Sequence, residues 1–290
     1  MPASDFAPAK VNLFLHVGRP AADGYHPIAS LMVFADIGDR LSLRTAEAMG
    51  FRIGGPFAAG LPTEADNLVT RARNALLAEA RAGHTAFELL LEKALPIASG
   101  LGGGSSDAAA ALRLVSSALG LTGEPAARIA TTLGSDVPAC LAGVAAIATG
   151  RGEILAPAPR LPRLDAVLVN PMVPSPTAEV YRAYDLAPDP AGANLPDLPP
   201  SLDTAQAAAD FLAGCRNDLE RPALTLRPLI GEVLARLGDQ PETLLRRMSG
   251  SGATCFALCA DAAAAGSLAK RLADLEPTWW VRRCRLGDAA

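Results

Sequence analysis

Residues 100–104 are the part of this 290-residue sequence best suited to bind a charged ligand, because four of the five are glycine. Glycine lets the backbone adopt left-handed angles and bring its N–H groups close to a ligand. A helix predicted to begin just after this segment adds partial positive charge at its N-terminus. The segment therefore predicts a cradle for phosphate groups. The alternative is a flexible loop in which Ser105, Ser106 or Asp107 caps the following helix.

Two common phosphate-binding patterns do not fit this segment. A Walker A loop requires a lysine, and the sequence has none between Lys93 and Arg113. A dinucleotide fingerprint requires a glycine or alanine where Ser105 stands, and no predicted strand-helix-strand unit opens the chain. The glycine-rich segment therefore belongs to neither class.

Other residues with chemical potential have ordinary structural explanations when each is taken alone. Lys10 lies next to a predicted strand, and a lysine on an edge strand is usually solvated. Asp136 precedes Val-Pro, which is typical of a helix N-cap. Tyr25 and His26 follow an Asp-Gly turn and by default lie on the surface. Another glycine cluster, at 248–254, is explained equally well as a tight turn before a strand.

The composition excludes several classes of function. The sequence has 26 Lys and Arg residues against 30 Asp and Glu residues, a net charge of -4, which argues against a general binder of nucleic acid or anionic lipid. Its longest uncharged stretch, at 137–150, contains proline and glycine and is shorter than the roughly 20 apolar residues that span a bilayer. We therefore expect no nucleic-acid partner and no membrane partner.

The cysteines and histidines favour a reducing compartment without a zinc site. The five cysteines form no CxxC pair, and the three histidines, His16, His26 and His84, show no metal-ligand spacing. An odd number of scattered cysteines is typical of buried thiols. No basic and apolar leader precedes the first predicted strand. We therefore expect a cytoplasmic protein.

Hydrophobic periodicity predicts an α+β protein in which the glycine-rich segment connects a strand to a helix. Alternation along the first strand places Lys10 and Asn12 on one face. Prolines at 157, 159 and 162 predict a boundary near residue 160, which gives domains 1–160 and 161–290, and five prolines predict an exposed irregular segment at 186–200. The predicted strands are 11–17, 28–37, 40–44, 87–91, 165–169, 253–259 and 279–286, and the predicted helices are about 66–81, 107–119, 124–134, 204–213, 226–237 and 262–272.

Taken together, five segments resemble the GHMP small-molecule kinases. They are, in order, Ala7-Pro8-Ala9-Lys10-Val11-Asn12-Leu13, Asp23-Gly24-Tyr25-His26, the loop at 96–107, Ser135-Asp136-Val137-Pro138 and the cluster at 248–253. The resemblance extends from residue 7 to about residue 258. It implies a ribosomal S5 domain 2-like N-terminal domain and a ferredoxin-like C-terminal domain, with the active site in the cleft between them.

The resemblance also implies which residues form the site. Lys10 and Asp136 match the catalytic pair of the family. The substrate-binding positions are matched by Asn12, Tyr25, His26, Thr177 and Tyr181, with Tyr25 and Tyr181 on opposite faces of a cytosine. The ATP-binding loop is matched by Pro96, Ile97, Ala98, Ser99, Gly100, Leu101, Gly102, Gly103, Gly104, Ser105 and Ser106. Two residues depart from the family pattern. Relatives commonly have Ala where this chain has Ser135, and Gly or Ala where it has Ser99.

The activity implied by the resemblance is phosphorylation of a small molecule by ATP. The acceptor would be the 2-hydroxyl of a cytidine diphosphate sugar alcohol, the cytidylylated methylerythritol of non-mevalonate isoprenoid synthesis, and the enzyme would be a monomer or weak homodimer. Mg²⁺ would accompany ATP, with the Ser105 or Ser106 hydroxyl as its protein ligand. Two mechanisms stay open at this point. In one, Asp136 is the general base that accepts the proton of the hydroxyl, and in the other, Lys10 makes the hydroxyl more acidic.

Two alternatives belong to the same fold. One is a homoserine-type kinase, and the other is a binding protein that has lost catalysis, since a fold alone does not guarantee activity. The presence of Lys10, Asp136 and the loop serines argues against the second alternative.

Overall fold

The computed structural model describes residues 3–61, 66–80 and 86–289, and the fold is α+β as predicted. No helix among these residues is both long and apolar enough to cross a membrane. The strands of the described residues are β1 (Ala3–Val17), β2 (Ile28–Thr45), β3 (Gly50–Gly54), β4 (Phe87–Glu92), β5 (Ala146–Thr149), β6 (Ile154–Pro157), β7 (Leu164–Asn170), β8 (Thr243–Met248), β9 (Cys255–Cys259) and β10 (Trp280–Gly287). The helices are α1 (Leu68–Glu79), α2 (Gly103–Ala118), α3 (Gly123–Leu133), α4 (Val137–Ala142), α5 (Thr177–Tyr184), α6 (Ala205–Ala213), α7 (Glu220–Leu226), α8 (Leu229–Gly238) and α9 (Ala262–Leu275).

The chain forms two compact units, and each is assembled from several segments. The first unit comprises the described residues of Met1–Lys10, Ile37–Leu95 and Gly102–Gly143, and the second comprises those of Val11–Asp36, Pro96–Leu101 and Val144–Ala290. The boundary near residue 160 and the domains 1–160 and 161–290 stay predictions.

The first unit packs helices against a small sheet. Strand β4 pairs in parallel with β3 and antiparallel with the last part of β2. Helix α1 begins where the Asn67 side chain accepts a hydrogen bond from the Val69 N–H, which satisfies one free donor of the first turn. The core between sheet and helices includes Leu89, Leu112 and Val115, all fully buried. The predicted end of the first helix, near Arg81 and Gly83, lies outside the described residues.

The second unit is built around β7, which is buried along its whole length. Strand β7 pairs antiparallel with β9 and β10, and β9 pairs with β8. Strand β10 also pairs with β2, with Leu286 opposite Ala35, and β2 pairs with β5. The segment 186–200 contains no helix or strand, as its prolines predicted.

Strand β2 corrects the prediction of two separate strands at 28–37 and 40–44. It is continuous, and Gly38 lies inside it rather than in a connection between two strands. A Cβ at Gly38 would overlap the Ala7 carbonyl oxygen and lie 2.7 Å from the Pro8 Cα. The glycine is therefore required by the close approach of another backbone segment, which a sequence pattern cannot distinguish from a turn.

The starts of β1 and α2 also differ from the predictions. Strand β1 begins at Ala3 and is buried on both faces from Ala7 onwards, so the alternation of residue types did not indicate a solvent-exposed face. Helix α2 begins at Gly103 rather than near Asp107. The last two glycines of the loop therefore belong to the first turn of the helix.

Candidate active site

Lys10 and Asp136 form an ion pair in the first unit. The Lys10 Nζ lies 3.0 Å from the Asp136 Oδ2, and the side chains are 5% and 29% exposed. Strand β1 carries Lys10, and Asp136 lies at the N-terminus of α4, where its side chain makes no capping hydrogen bond. A solvated lysine and a helix-capping aspartate are therefore both excluded as explanations of these residues.

Gly102, which belongs to the same unit, lies alongside this pair. Its φ is +63°, and a Cβ there would lie 3.0 Å from the Lys10 Cε and 3.8 Å from the Asp136 Oδ2. The first hydrogen bond of α2 runs from the Ser106 N–H to the Gly102 carbonyl. The N–H groups of Gly103, Gly104 and Ser105 precede that bond, so the helix itself offers them no acceptor. A helix start with free N–H groups, a feature suited to binding an anion, therefore lies next to an ammonium and a carboxylate.

The N-terminal part of the loop lies in the second unit, against the glycine cluster at 248–254. The Ser249 hydroxyl donates to the Gly100 carbonyl at 3.0 Å, and the Thr254 N–H donates to the Ser99 carbonyl at 3.0 Å. A Cβ at Gly100 would overlap the Ser249 carbonyl oxygen and lie 2.8 Å from the Gly252 nitrogen. The cluster at 248–254 is thus more than a turn, because its backbone supports the loop.

Asn12 is buried in the second unit with a fixed side chain. The Ser30 hydroxyl donates to the Phe14 carbonyl at 2.6 Å, so its oxygen accepts the Asn12 Nδ2–H at 2.7 Å. The Asn12 N–H donates to the Ser249 hydroxyl at 3.1 Å. One serine therefore links the strand at Asn12 to the loop at Gly100.

Tyr25 and His26 also lie in the second unit, in different surroundings. Tyr25 is 57% exposed, and the Arg151 guanidinium carbon lies 4.2 Å from its ring centroid. The His26 ring packs against the Tyr181 ring, with the centroids 4.8 Å apart. Its Nε2 lies 2.6 Å from the Asp185 Oδ1. The ring contact observed for Tyr181 is thus with His26, and its stacking on a base opposite Tyr25 stays a prediction.

Thr177 is the first residue of α5, and its hydroxyl lies 2.9 Å from the Ser251 hydroxyl. This contact connects Thr177, a predicted substrate-binding residue, to the glycine cluster at 248–254. Its role in substrate binding stays a prediction.

Sequence reasoning missed a buried ionic cluster of Asp39, Lys93 and Asp107 in the first unit. The Lys93 Nζ donates to the Asp107 Oδ2 at 2.8 Å and to the Asp39 Oδ2. The Asp39 Oδ1 accepts the Ala94 and Leu95 N–H groups at 2.6 and 2.9 Å. Burial raises the pKa of Asp107 to about 7, although the Lys93 charge opposes this rise. The cluster holds the end of β4 to the first turns of α2, on either side of the loop.

The signal for this cluster was present but ambiguous. Asp39 falls between the predicted strands 28–37 and 40–44, and Lys93 follows a predicted strand in a position that is usually solvated. Only the pairing of β2 with β4 places the two side chains together.

Clusters of metal ligands and cysteine thiols are two further kinds of group that often carry chemistry. They contain no cluster of three or more His, Cys, Asp or Glu side chains that could hold a metal ion. All five cysteines are free and buried, as expected from their number and spacing. Burial raises the pKa of Cys140 to about 12, which disfavours the reactive thiolate form of this thiol.

The chain matches two family models in the order expected from this architecture. Residues 67–144 match the GHMP kinases N terminal domain, and residues 198–277 match the GHMP kinases C terminal domain. The chain belongs to the GHMP kinases, and it is a phosphotransferase that uses ATP.

Relatives within this family are similar over their whole length. A protein of Caulobacter vibrioides (strain NA1000 / CB15N), named 4-diphosphocytidyl-2-C-methyl-D-erythritol kinase, is 57% identical, with 99% of this chain and 100% of that protein covered. A crystal structure of 4-(cytidine 5'-diphospho)-2C-methyl-D-erythritol kinase is 34% identical with a TM-score of 0.77, covering 99% of this chain and all of that one. A homoserine kinase from Cytophaga hutchinsonii, 19% identical with a TM-score of 0.65 and covering 97% and 96% of the two chains, shares the fold alone.

Proposed function

We propose that this chain transfers the γ-phosphoryl group of ATP to the 2-hydroxyl of 4-diphosphocytidyl-2-C-methyl-D-erythritol, in the non-mevalonate route to isoprenoid precursors. The observation that carries the proposal is the Lys10–Asp136 ion pair beside Gly102 and the first turn of α2. The names of the full-length relatives support the choice of acceptor. A homoserine-type kinase has only the shared fold in its favour.

Phosphoryl transfer needs alignment and charge stabilisation more than covalent help. In this proposal the backbone amides of 96–106 hold the triphosphate, and the N–H groups of the first turn of α2, which have no acceptor within the helix, are nearest the terminal phosphate. Asp136 orients the acceptor hydroxyl and accepts its proton, and Lys10 stabilises charge on the transferring oxygens. A general base of this kind contributes roughly 100- to 10,000-fold to the rate.

The acceptor is held by residues of the second unit in this proposal. Tyr25 offers one open ring face to the cytosine, since Arg151 covers the other. His26 and Asn12 supply hydrogen bonds, and Thr177 and Tyr181 complete the binding residues on α5. The aromatic base and the polar groups of a cytidine diphosphate suit such a set of aromatic and polar side chains.

A magnesium ion fits this site if the phosphates provide most of its ligands. Ser106 is fully buried and its hydroxyl already donates to the Pro8 carbonyl at 2.6 Å, whereas Ser105 is only partly buried. We therefore assign the protein ligand to Ser105. When bound, Mg²⁺ would neutralise charge on the β- and γ-phosphates, and it usually keeps several waters and few protein ligands.

The setting of the reaction is inferred from the same features. Five free cysteines suit a reducing cytoplasm. A net charge of -4 suits a small-molecule partner rather than nucleic acid or a membrane surface. The proposed enzyme acts as a monomer or weak homodimer.

A coupled ADP-release assay tests the proposal. The protein is offered ATP and Mg²⁺ with the cytidylyl substrate, homoserine or mevalonate in turn. We expect turnover with the cytidylyl substrate only. Faster turnover with homoserine or mevalonate, or no turnover with any acceptor, would overturn the proposal.

A further inference from the structure

Asp185 contacts a proposed substrate residue without being assigned to the site itself. It follows the last residue of α5, where it is the C-cap. Its Oδ1 lies 2.6 Å from the His26 Nε2, and its side chain is 37% exposed. The partner is distant in sequence, so the contact depends on the fold rather than on local geometry.

Helix stability does not explain an aspartate at this position. The C-terminus of a helix carries partial negative charge, which disfavours a carboxylate. An exposed ion pair also adds little to stability, because solvent screens it. The position of Asp185 is therefore better explained by what it does to His26.

The surroundings of His26 leave one ring nitrogen for a ligand. A carboxylate only accepts hydrogen bonds, so Asp185 places a proton on the Nε2 of His26. In the neutral imidazole the Nδ1 is then an acceptor, and it has no partner among the described residues. The Tyr181 and Tyr184 rings, with centroids 4.8 and 5.9 Å from that of His26, restrain the ring plane.

We propose that Asp185 is a positioning residue that fixes the orientation and tautomer of His26, so that the Nδ1 of His26 accepts a hydrogen bond from the amino group of a cytosine and selects against uracil. Cytosine carries an amino donor at the ring position where uracil carries a carbonyl acceptor. The Nδ1 acceptor of His26 can therefore pair with the amino group of cytosine, whereas it repels the carbonyl oxygen of uracil. This inference rests on the proposed function, because it takes His26 as a base-binding residue.

Calorimetric binding of cytidine diphosphate and uridine diphosphate separates this inference from the proposed function. The proteins are wild type, Asp185→Ala, Asp185→Asn and the control Asp203→Ala, which removes an exposed carboxylate paired with Arg160 on the surface. We expect Asp185→Ala to weaken cytidine diphosphate binding about tenfold or more while uridine diphosphate binding changes little. Asp185→Asn should recover part of the loss, since its amide oxygen also accepts from Nε2–H, and the control should match wild type.

Steady-state kinetics with the cytidylyl substrate give a second readout. Asp185→Ala should raise the KM for this substrate by a similar factor and leave the KM for ATP within about twofold. Unchanged cytidine diphosphate binding in Asp185→Ala, equal weakening of both diphosphates, or no binding of cytidine diphosphate by wild type would overturn the inference. Wild type that binds cytidine diphosphate selectively but transfers no phosphoryl group would overturn the proposed function and leave the inference supported.

Discussion

Burying the ammonium of Lys10 costs free energy unless an opposite charge lies close to it. Asp136 provides that charge while its own side chain leaves the helix N-terminus uncapped. The aspartate therefore gives up an interaction that usually stabilises a helix by about 1 kcal/mol. Departures from a locally favourable arrangement, such as this uncapped helix start, are expected mainly at functional sites.

Asp136→Asn tests this residue directly. The amide keeps the size of the side chain and removes the proton acceptor, so we expect turnover to fall by roughly 100-fold or more. Binding of ATP, measured by calorimetry, should be retained. The matched control is Asp203→Asn, whose surface ion pair contributes about 0–1 kcal/mol. Near-normal turnover of Asp136→Asn would remove Asp136 from the mechanism.

Helices and strands could be predicted from the sequence where their signals come from neighbouring residues, and not where they depend on contacts between distant segments. Periodicity and caps predicted many of the strands and helices, including a start of α1 near residue 66 and the end of α3 at Gly134. Gly38 could not be interpreted correctly, because the requirement for glycine comes from another segment of backbone. The cluster of Asp39, Lys93 and Asp107 escaped for the same reason, since strand pairing creates it.

The glycine-rich segment shows the same division between local and tertiary information. Its composition predicted a phosphate cradle, but not that α2 begins at Gly103 or that the backbone of 249–252 lies behind Gly100. The first depends on the left-handed angle of Gly102, and the second on contacts between residues about 150 positions apart. The roles of the catalytic and substrate-binding residues stay predictions at this level.

Gly100→Ala tests the support of the loop. The φ of Gly100 is +76°, which costs an alanine about 1–2 kcal/mol, and the new Cβ would overlap the Ser249 carbonyl. We expect a lower Tm and a raised KM for ATP, because the loop must move away from its support. Gly123→Ala is the control, since a Cβ at that position in α3 meets nothing within 4 Å and alanine favours the helix. Equal Tm and KM values for the two variants would contradict this account of the loop.

For the whole molecule, His16 couples stability to pH. Its Nδ1 donates to the Asn194 carbonyl at 2.6 Å, and its Nε2 accepts the Arg216 N–H at 3.3 Å. This arrangement requires a neutral imidazole, with one nitrogen as a donor and the other as an acceptor. It fastens the proline-rich segment at 186–200 to β1 and to the chain before α7.

Burial lowers the pKa of His16 below its ordinary value of 6.5, although the hydrogen bond to Asn194 opposes the shift. Arg216 and Arg247 lower the pKa further, and Asp218 raises it. Because the folded pKa lies below the unfolded one, the contribution of His16 to stability is complete above pH 6.5 and is lost as the pH falls through the folded pKa.

Thermal unfolding between pH 8 and pH 5 should therefore show a Tm that decreases on acidification more steeply in wild type than in His16→Gln, which cannot gain a proton. Replacement of the exposed Gln206 by Ala, away from this contact, should leave the wild-type slope intact. Parallel Tm profiles for wild type and His16→Gln would show that the tie between β1 and the proline-rich segment does not depend on the neutral imidazole.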